Sequence, residues 1–121
     1  MDRWVQFADL AFAQGHGVRY LADSPDRQAI GPWTNETAAY YYQGLSQDGK
    51  YYISLIWPVQ TETLPDTFEQ AEESEKDQST NPATYPAYLQ ATQARLNALS
   101  PSDYSPDLLR LDRMIASLVL K

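Results

Sequence analysis

His16 is the one imidazole in 121 residues, and it stands between Gly15 and Gly17. A metal centre built on it would need carboxylates for every other ligand, because no second histidine lies at helical spacing and cysteine is absent. The missing thiols also remove disulfides, thiolate nucleophiles and iron–sulfur clusters. A Ser-His-Asp relay is defined by geometry rather than by order along the chain, so His16 and the unplaced acids keep a hydrolase open. The nearest approach to a nucleophile elbow is Gly44-Leu45-Ser46, where Asp48 stands in place of the second glycine. Gly15-His16-Gly17 lacks the third glycine and the following helix of a phosphate loop. Paired carboxylates for glycoside cleavage need a defined separation, and 16 acids without distances supply none.

The acids are unevenly placed. Residues 61–80 hold Glu62, Asp66, Glu69, Glu72, Glu73, Glu75 and Asp77 against Lys76 alone, so this stretch carries −6 of the formal net charge of −7. No basic stripe exists to neutralise phosphates, which argues against nucleic acid and against anionic membrane surfaces. The acids could meet a cation through oxygen, but a helix spreads them along its length instead of wrapping them round one ion. There is no Asp-x-Asp-x-Asp-Gly loop either. A solvated face is the simpler reading, and no cofactor or metal is implied. Asn35-Glu36-Thr37 matches a glycosylation sequon, a triplet that also arises by chance.

The aromatic residues stand out more. Nine tyrosines accompany three phenylalanines and three tryptophans. Trp33, Tyr40, Tyr42, Tyr51, Tyr52 and Trp57, with Tyr41 among them, are the candidate binding residues: rings on a sheet face stack on sugars or accept a partner's apolar surface. Core packing and cross-strand pairing would use the same residues. Both readings stand at this point.

These rings must be positioned by a hairpin. Two β-rich runs, 37–45 and 51–59, flank Ser46-Gln47-Asp48-Gly49-Lys50, and Asp-Gly in so short a link predicts a hairpin with Gly49 left-handed. Ala38, Tyr40 and Tyr42 share one face of the first strand, and Ala39, Tyr41 and Leu45 the other. Both faces of the pair are largely apolar, which predicts a central or doubly covered hairpin, and Pro58 ends it. Upstream, residues 3–13 read as extended, Gly15-His16-Gly17 as a turn, and about 17–22 as a strand closed by Asp23-Ser24-Pro25-Asp26. Residues 29–36 form a loop carrying Trp33.

The helices come last. Thr67-Phe68-Glu69-Gln70 fits a capping box opening a short solvated helix over 67–77. Asn81-Pro82 then opens a helix over about 83–99, whose stripe is Tyr85, Tyr88, Leu89, Thr92, Leu96 and Leu99. Ser105 as N-cap and Pro106 at the first position predict a final helix over about 106–120 that buries Leu108, Leu111, Ile115 and Leu118. Strands first and helices last predict an α+β single domain spanning 1–121. It comprises a small antiparallel sheet with two antiparallel C-terminal helices packed on one face. The length suits one core, and no run approaches the roughly 18 apolar residues of a membrane span.

Three stretches carry a resemblance. They are Gly15-His16-Gly17-Val18-Arg19-Tyr20-Leu21, Tyr42-Gln43-Gly44-Leu45-Ser46-Gln47-Asp48-Gly49-Lys50-Tyr51-Tyr52-Ile53 with its Pro58-Val59 and Leu64-Pro65 exit, and Leu96 to Leu118. Together they resemble a group of uncharacterised bacterial secreted proteins, many of them lipoproteins. The match covers most of residues 14–121, and Gln-Gly-Leu-x-x-Asp-Gly-Lys is its most specific phrase. Ser24-Pro25-Asp26-Arg27 departs from the longer Tyr-containing stretch expected there, which puts the continuation of that strand in question.

The resemblance implies an extracytoplasmic setting, membrane attachment only through an N-terminal lipid anchor not present in this chain, and a C-terminal portion of a longer protein. It implies no activity and no catalytic residues. The functional expectation is a non-catalytic extracytoplasmic interaction domain for a protein partner. A carbohydrate or small-ligand module using the same rings is the alternative, and a hydrolase resting on His16 is the third reading.

Overall fold

The computed structural model describes residues 4–23 and 30–120. Four strands, β1 (Trp4–Phe12), β2 (Gly15–Ala22), β3 (Ala39–Ser46) and β4 (Tyr52–Pro58), pair in chain order, each antiparallel to the next. Strands β5 (Gln60–Thr61) and β6 (Tyr104–Ser105) form a separate two-residue ladder. Helices α1 (Glu73–Thr80), α2 (Tyr85–Asn97) and α3 (Leu108–Ala116) occupy the C-terminal half, with one 3-10 turn at Pro101–Asp103. The architecture is the expected α+β: antiparallel sheet first, helices after.

Strand β1 explains why its sequence alternates so poorly. Val5 faces Leu21 and Ala8 faces Arg19, so Gln6 and Phe7 together oppose Tyr20 in a β-bulge. Gln6 takes the left-handed backbone, with φ of 56°, a costly conformation for a residue with a side chain. Its polar groups hold it there. The Gln6 N–H donates to Asn97 Oδ1 at 2.7 Å, and Gln6 Nε2 donates to the Leu96 and Leu99 carbonyls at 2.9 and 3.0 Å. The side chain thereby bonds carbonyls at and just beyond the end of α2.

Gly15-His16-Gly17 is strand, not turn. The β1–β2 reversal falls at residues 13–14, and β2 begins at Gly15. These glycines serve close approach rather than a left-handed bend: a Cβ on Gly15 would collide with the Leu45 carbonyl oxygen, and one on Gly17 with that of Gln43. Gly49 does bend the β3–β4 turn, with φ of 75°. That turn is locked from within. Ser46 Oγ donates to Asp48 Oδ1 at 2.7 Å, the Lys50 N–H donates to the same oxygen at 3.0 Å, and the Tyr51 N–H donates to Ser46 Oγ at 3.0 Å. The Ser46 bond, then the Lys50 N–H, holds the Asp48 carboxyl below its ordinary pKa.

Among the described residues the hairpin is neither central nor covered on both sides. β4 is the last strand of the sheet, and the helices pack on one face only. On that face Val5, Leu21, Tyr40, Tyr42 and Phe12 meet Leu89 and Leu96 of α2 and Leu108, Leu111 and Ile115 of α3, all buried. Each fully buried aliphatic side chain contributes roughly 1.5–3 kcal/mol.

All three helices are bounded differently from the sequence reading, α2 running from Tyr85 to Asn97 rather than over about 83–99. The Thr67 capping box does not form, and α1 starts at Glu73 after an extended Glu72 without a side-chain cap. With only Ser79 buried in it, α1 has little to anchor its position. The last helix is capped by Asp107, whose Oδ1 accepts from the Leu109 N–H at 2.9 Å, so Ser105 and Pro106 lie outside it. A carboxylate two residues before an N–H satisfies it better than the serine further upstream. This helix ends at Ala116, leaving Leu118 and Leu120 half-buried beyond it. The stretch Ser24-Pro25-Asp26 lies outside the described residues.

Candidate functional site

The aromatic candidates separate by strand. Trp33, Tyr40 and Tyr42 are 1%, 0% and 0% exposed and belong to the core. Each has work there. The Trp33 backbone N–H donates to the Tyr88 hydroxyl at 2.9 Å, Tyr40 Oη donates to Asp112 Oδ1 at 2.8 Å, and Tyr42 Oη donates to the Leu10 carbonyl at 3.0 Å. No surface platform includes them. Tyr51, Tyr52 and Trp57, on or beside β4, are exposed, and Leu45 and Ile56 join them. Ile56 and Leu45 had no place among the sequence candidates.

The reason is the position of β4. An edge strand has one neighbour, so one row of its backbone groups meets solvent and its side chains are only partly covered, Ile53 and Leu55 packing half-buried against the core. The ladder to β3 shows which row. The Ser46 N–H donates to the Tyr51 carbonyl and the Val59 N–H to the Ala38 carbonyl, at 2.9 and 3.3 Å. With the two-residue period of an antiparallel pair, Tyr51, Ile53, Leu55 and Trp57 turn their backbone groups to β3. Tyr52, Ser54 and Ile56 turn theirs outward. Among the described residues no strand pairs with that side. From Tyr51 to Thr61 the chain carries no charge. Edge strands are commonly blunted by charge, proline or a bulge; here only Pro58 at the far end does so.

The outer face carries a second aromatic group. Register places Tyr20, Tyr41 and Ile56 in one row across β2, β3 and β4. Tyr20 and Tyr41 are stacked with centroids 5.4 Å apart and planes within 10°. Phe7 stacks on Tyr20 at 6.2 Å, and Trp4 lies 5.5 Å from Tyr20. Burial, then the neighbouring Tyr52, pushes the Tyr20 phenol above its ordinary pKa. Trp4 and Phe7 are exposed and share a face although three residues apart, because the bulge at Gln6 inserts one residue between them. That odd spacing is the signal the alternation test discards.

Other candidates acquire structural roles or none. His16 is exposed on β2, opposite Ala11 and Leu45, and among the described residues no hydrogen bond links it to a hydroxyl or carboxylate. Among the described residues no group of three His, Asp or Glu side chains is placed to hold a metal ion. Asn35 of the sequon is turned inward: Nδ2 donates to the Thr61 and Leu64 carbonyls and to Asp66 Oδ1, and Oδ1 accepts from the Thr61 N–H at 2.9 Å. In the acidic segment Tyr88 Oη donates to Glu75 Oε2 at 3.0 Å, and most of the other carboxylates are exposed. No described helix is long and apolar enough to cross a membrane.

The site defined by this fold is thus an open sheet edge flanked by exposed apolar side chains. No family model, no curated protein and no solved structure matches the chain.

Proposed function

We propose that this chain is a non-catalytic protein-binding domain that receives an extended segment along β4. The carrying observation is that Tyr52, Ser54 and Ile56 present backbone donors and acceptors outward, beside exposed Tyr51, Leu45 and Trp57, on a strand without charge. Strand addition uses these two features together: backbone bonds supply affinity, and alternate side chains supply selectivity. The extracytoplasmic setting implied by the resemblance is part of the proposal, and co-fractionation with cytosolic markers would count against it.

Sugar stacking is the weaker reading. It needs free ring faces, and Tyr20, Tyr41 and Phe7 spend theirs partly on one another. The test is an NMR titration of the protein with extended octapeptides selected from a display library, in parallel with a glycan panel. Peptide binding should shift and protect the amides of Tyr52, Ser54 and Ile56. Binders that map elsewhere, or glycan-induced shifts at Trp4 and Tyr52 without any peptide response, would overturn it.

A further inference from the structure

We infer that the natural occupant of the β4 edge is a second copy of this chain, added antiparallel about a twofold axis at Ser54; this deepens the strand-addition reading and rests on it. The argument starts from register. The outward-facing residues are Tyr52, Ser54 and Ile56, and a twofold through Ser54 sets Ser54 opposite Ser54 of the second copy. Tyr52 then faces Ile56 of the second copy, and Ile56 faces its Tyr52. That is an aromatic against a β-branched residue, a favourable cross-strand combination. Three facing pairs exchange six backbone hydrogen bonds. On the helix side the same register sets Leu55 opposite Ile53 and Trp57 opposite Tyr51. All four have surface to cover: Tyr51 and Trp57 are 54% and 45% exposed, and Ile53 and Leu55 are half-buried.

Charge agrees. No charged residue lies between Lys50 and Glu62, so self-pairing opposes no like charges along the strand. An antiparallel arrangement sets Lys50 beside Pro58 of the second copy at both ends of the interface. Pro58 has no N–H to offer and closes the ladder there.

The assembly stops at two. The opposite edge belongs to β1, where the bulge at Gln6 interrupts the strand and its N–H is already given to Asn97. A self-complementary patch used by both copies yields a closed dimer and not a fibre. Seven residues of strand span roughly 23 Å, so the contact falls below the roughly 1,200 Å² of a standard interface and belongs to the weak, concentration-dependent class. The dimer would join two sheets into one of eight strands, with the aromatic outer faces side by side.

The experiment measures mass by sedimentation equilibrium up to about 500 µM, where a weak dimer is populated. It compares the wild-type chain, Ser54→Lys, Ser54→Glu and an equimolar mixture of the two variants. Ser54 is exposed, and circular dichroism verifies that both variants fold. The wild type should dimerise, each variant should be monomeric through like charges at the dyad, and the mixture should dimerise again. A wild type that stays monomeric, a dimer indifferent to Ser54→Lys, or growth past the dimer would overturn the proposal. If the wild type is monomeric yet selected peptides protect the Tyr52, Ser54 and Ile56 amides, strand addition stands and only the second copy falls. If neither occurs, both fall.

Discussion

Arg19 of β2 and Asp112 of α3 meet inside the protein, with Arg19 Nε 3.2 Å from Asp112 Oδ1 and Nη2 3.4 Å from Oδ2. Their side chains are only 9% and 16% exposed. Tyr40 donates to the same carboxylate at 2.8 Å, and Arg19 Nη1 donates to the Gln6 carbonyl at the bulge. One ion pair therefore ties the bulged edge, the middle of the sheet and the last helix together. Removing one partner leaves the other charge desolvated, whereas removing both does not. Asp112→Leu or Arg19→Met alone should lower unfolding free energy by about 3–5 kcal/mol, and the two combined should cost clearly less. Urea unfolding of the four species measures the coupling; equal losses in single and double variants would show that the pair carries no such penalty.

The buried phenols set an alkaline limit. Burial foremost pushes Tyr88 and Tyr104 each up to about 12, and burial followed by the bond to Asp112 raises Tyr40 as well. In an unfolded chain these groups ionise near about 10. The folded state favours the neutral form, so their contribution is complete below pH 10 and is lost as pH rises toward 12. Each steepens the fall by up to about 1.4 kcal/mol per pH unit in that window. Tyrosinate absorbance and tryptophan fluorescence should change together there. Complete ionisation near pH 10 with structure intact would contradict the burial.

Asn35 binds the loop before β3 to the segment 61–66 through four side-chain hydrogen bonds. Asn35→Ala leaves the Thr61 N–H and the Leu64 carbonyl without these partners, and should cost roughly 2–3 kcal/mol. Hydrogen exchange should accelerate first at Thr61. Unchanged exchange at that amide would mean the clamp is not needed to hold β5.

Two glycines should fail for different reasons. Gly17→Ala drives a Cβ into the Gln43 carbonyl and should cost about 2–3 kcal/mol through forced separation of β2 and β3. Gly49→Ala meets open space, and its cost is the left-handed backbone alone, about 1 kcal/mol. Thermal melts of the two variants rank them, and a larger loss at Gly49 would reverse this assignment.

Much of the fold is legible in the sequence. The Asp48-Gly49 hairpin, the stripe on α2 and the order of strands before helices are local properties, set by backbone preference and by periodicity within a few turns of chain. What stayed hidden depended on neighbours. The bulge at Gln6 needs Asn97 and the end of α2, some ninety residues away, to fill its polar groups. The glycines of β2 look like a turn until β3 is laid against them.

The site divides along the same line. Residue types alone mark the aromatic set, because tyrosine and tryptophan serve a core and a contact surface equally well. Only the packing of helices on one face sends Trp33, Tyr40 and Tyr42 inward, and only the place of β4 at the end of the sheet turns Tyr51, Tyr52 and Trp57 out. Which strand is last is decided by which pairings satisfy the most backbone groups, a sum over the whole chain that no short stretch contains.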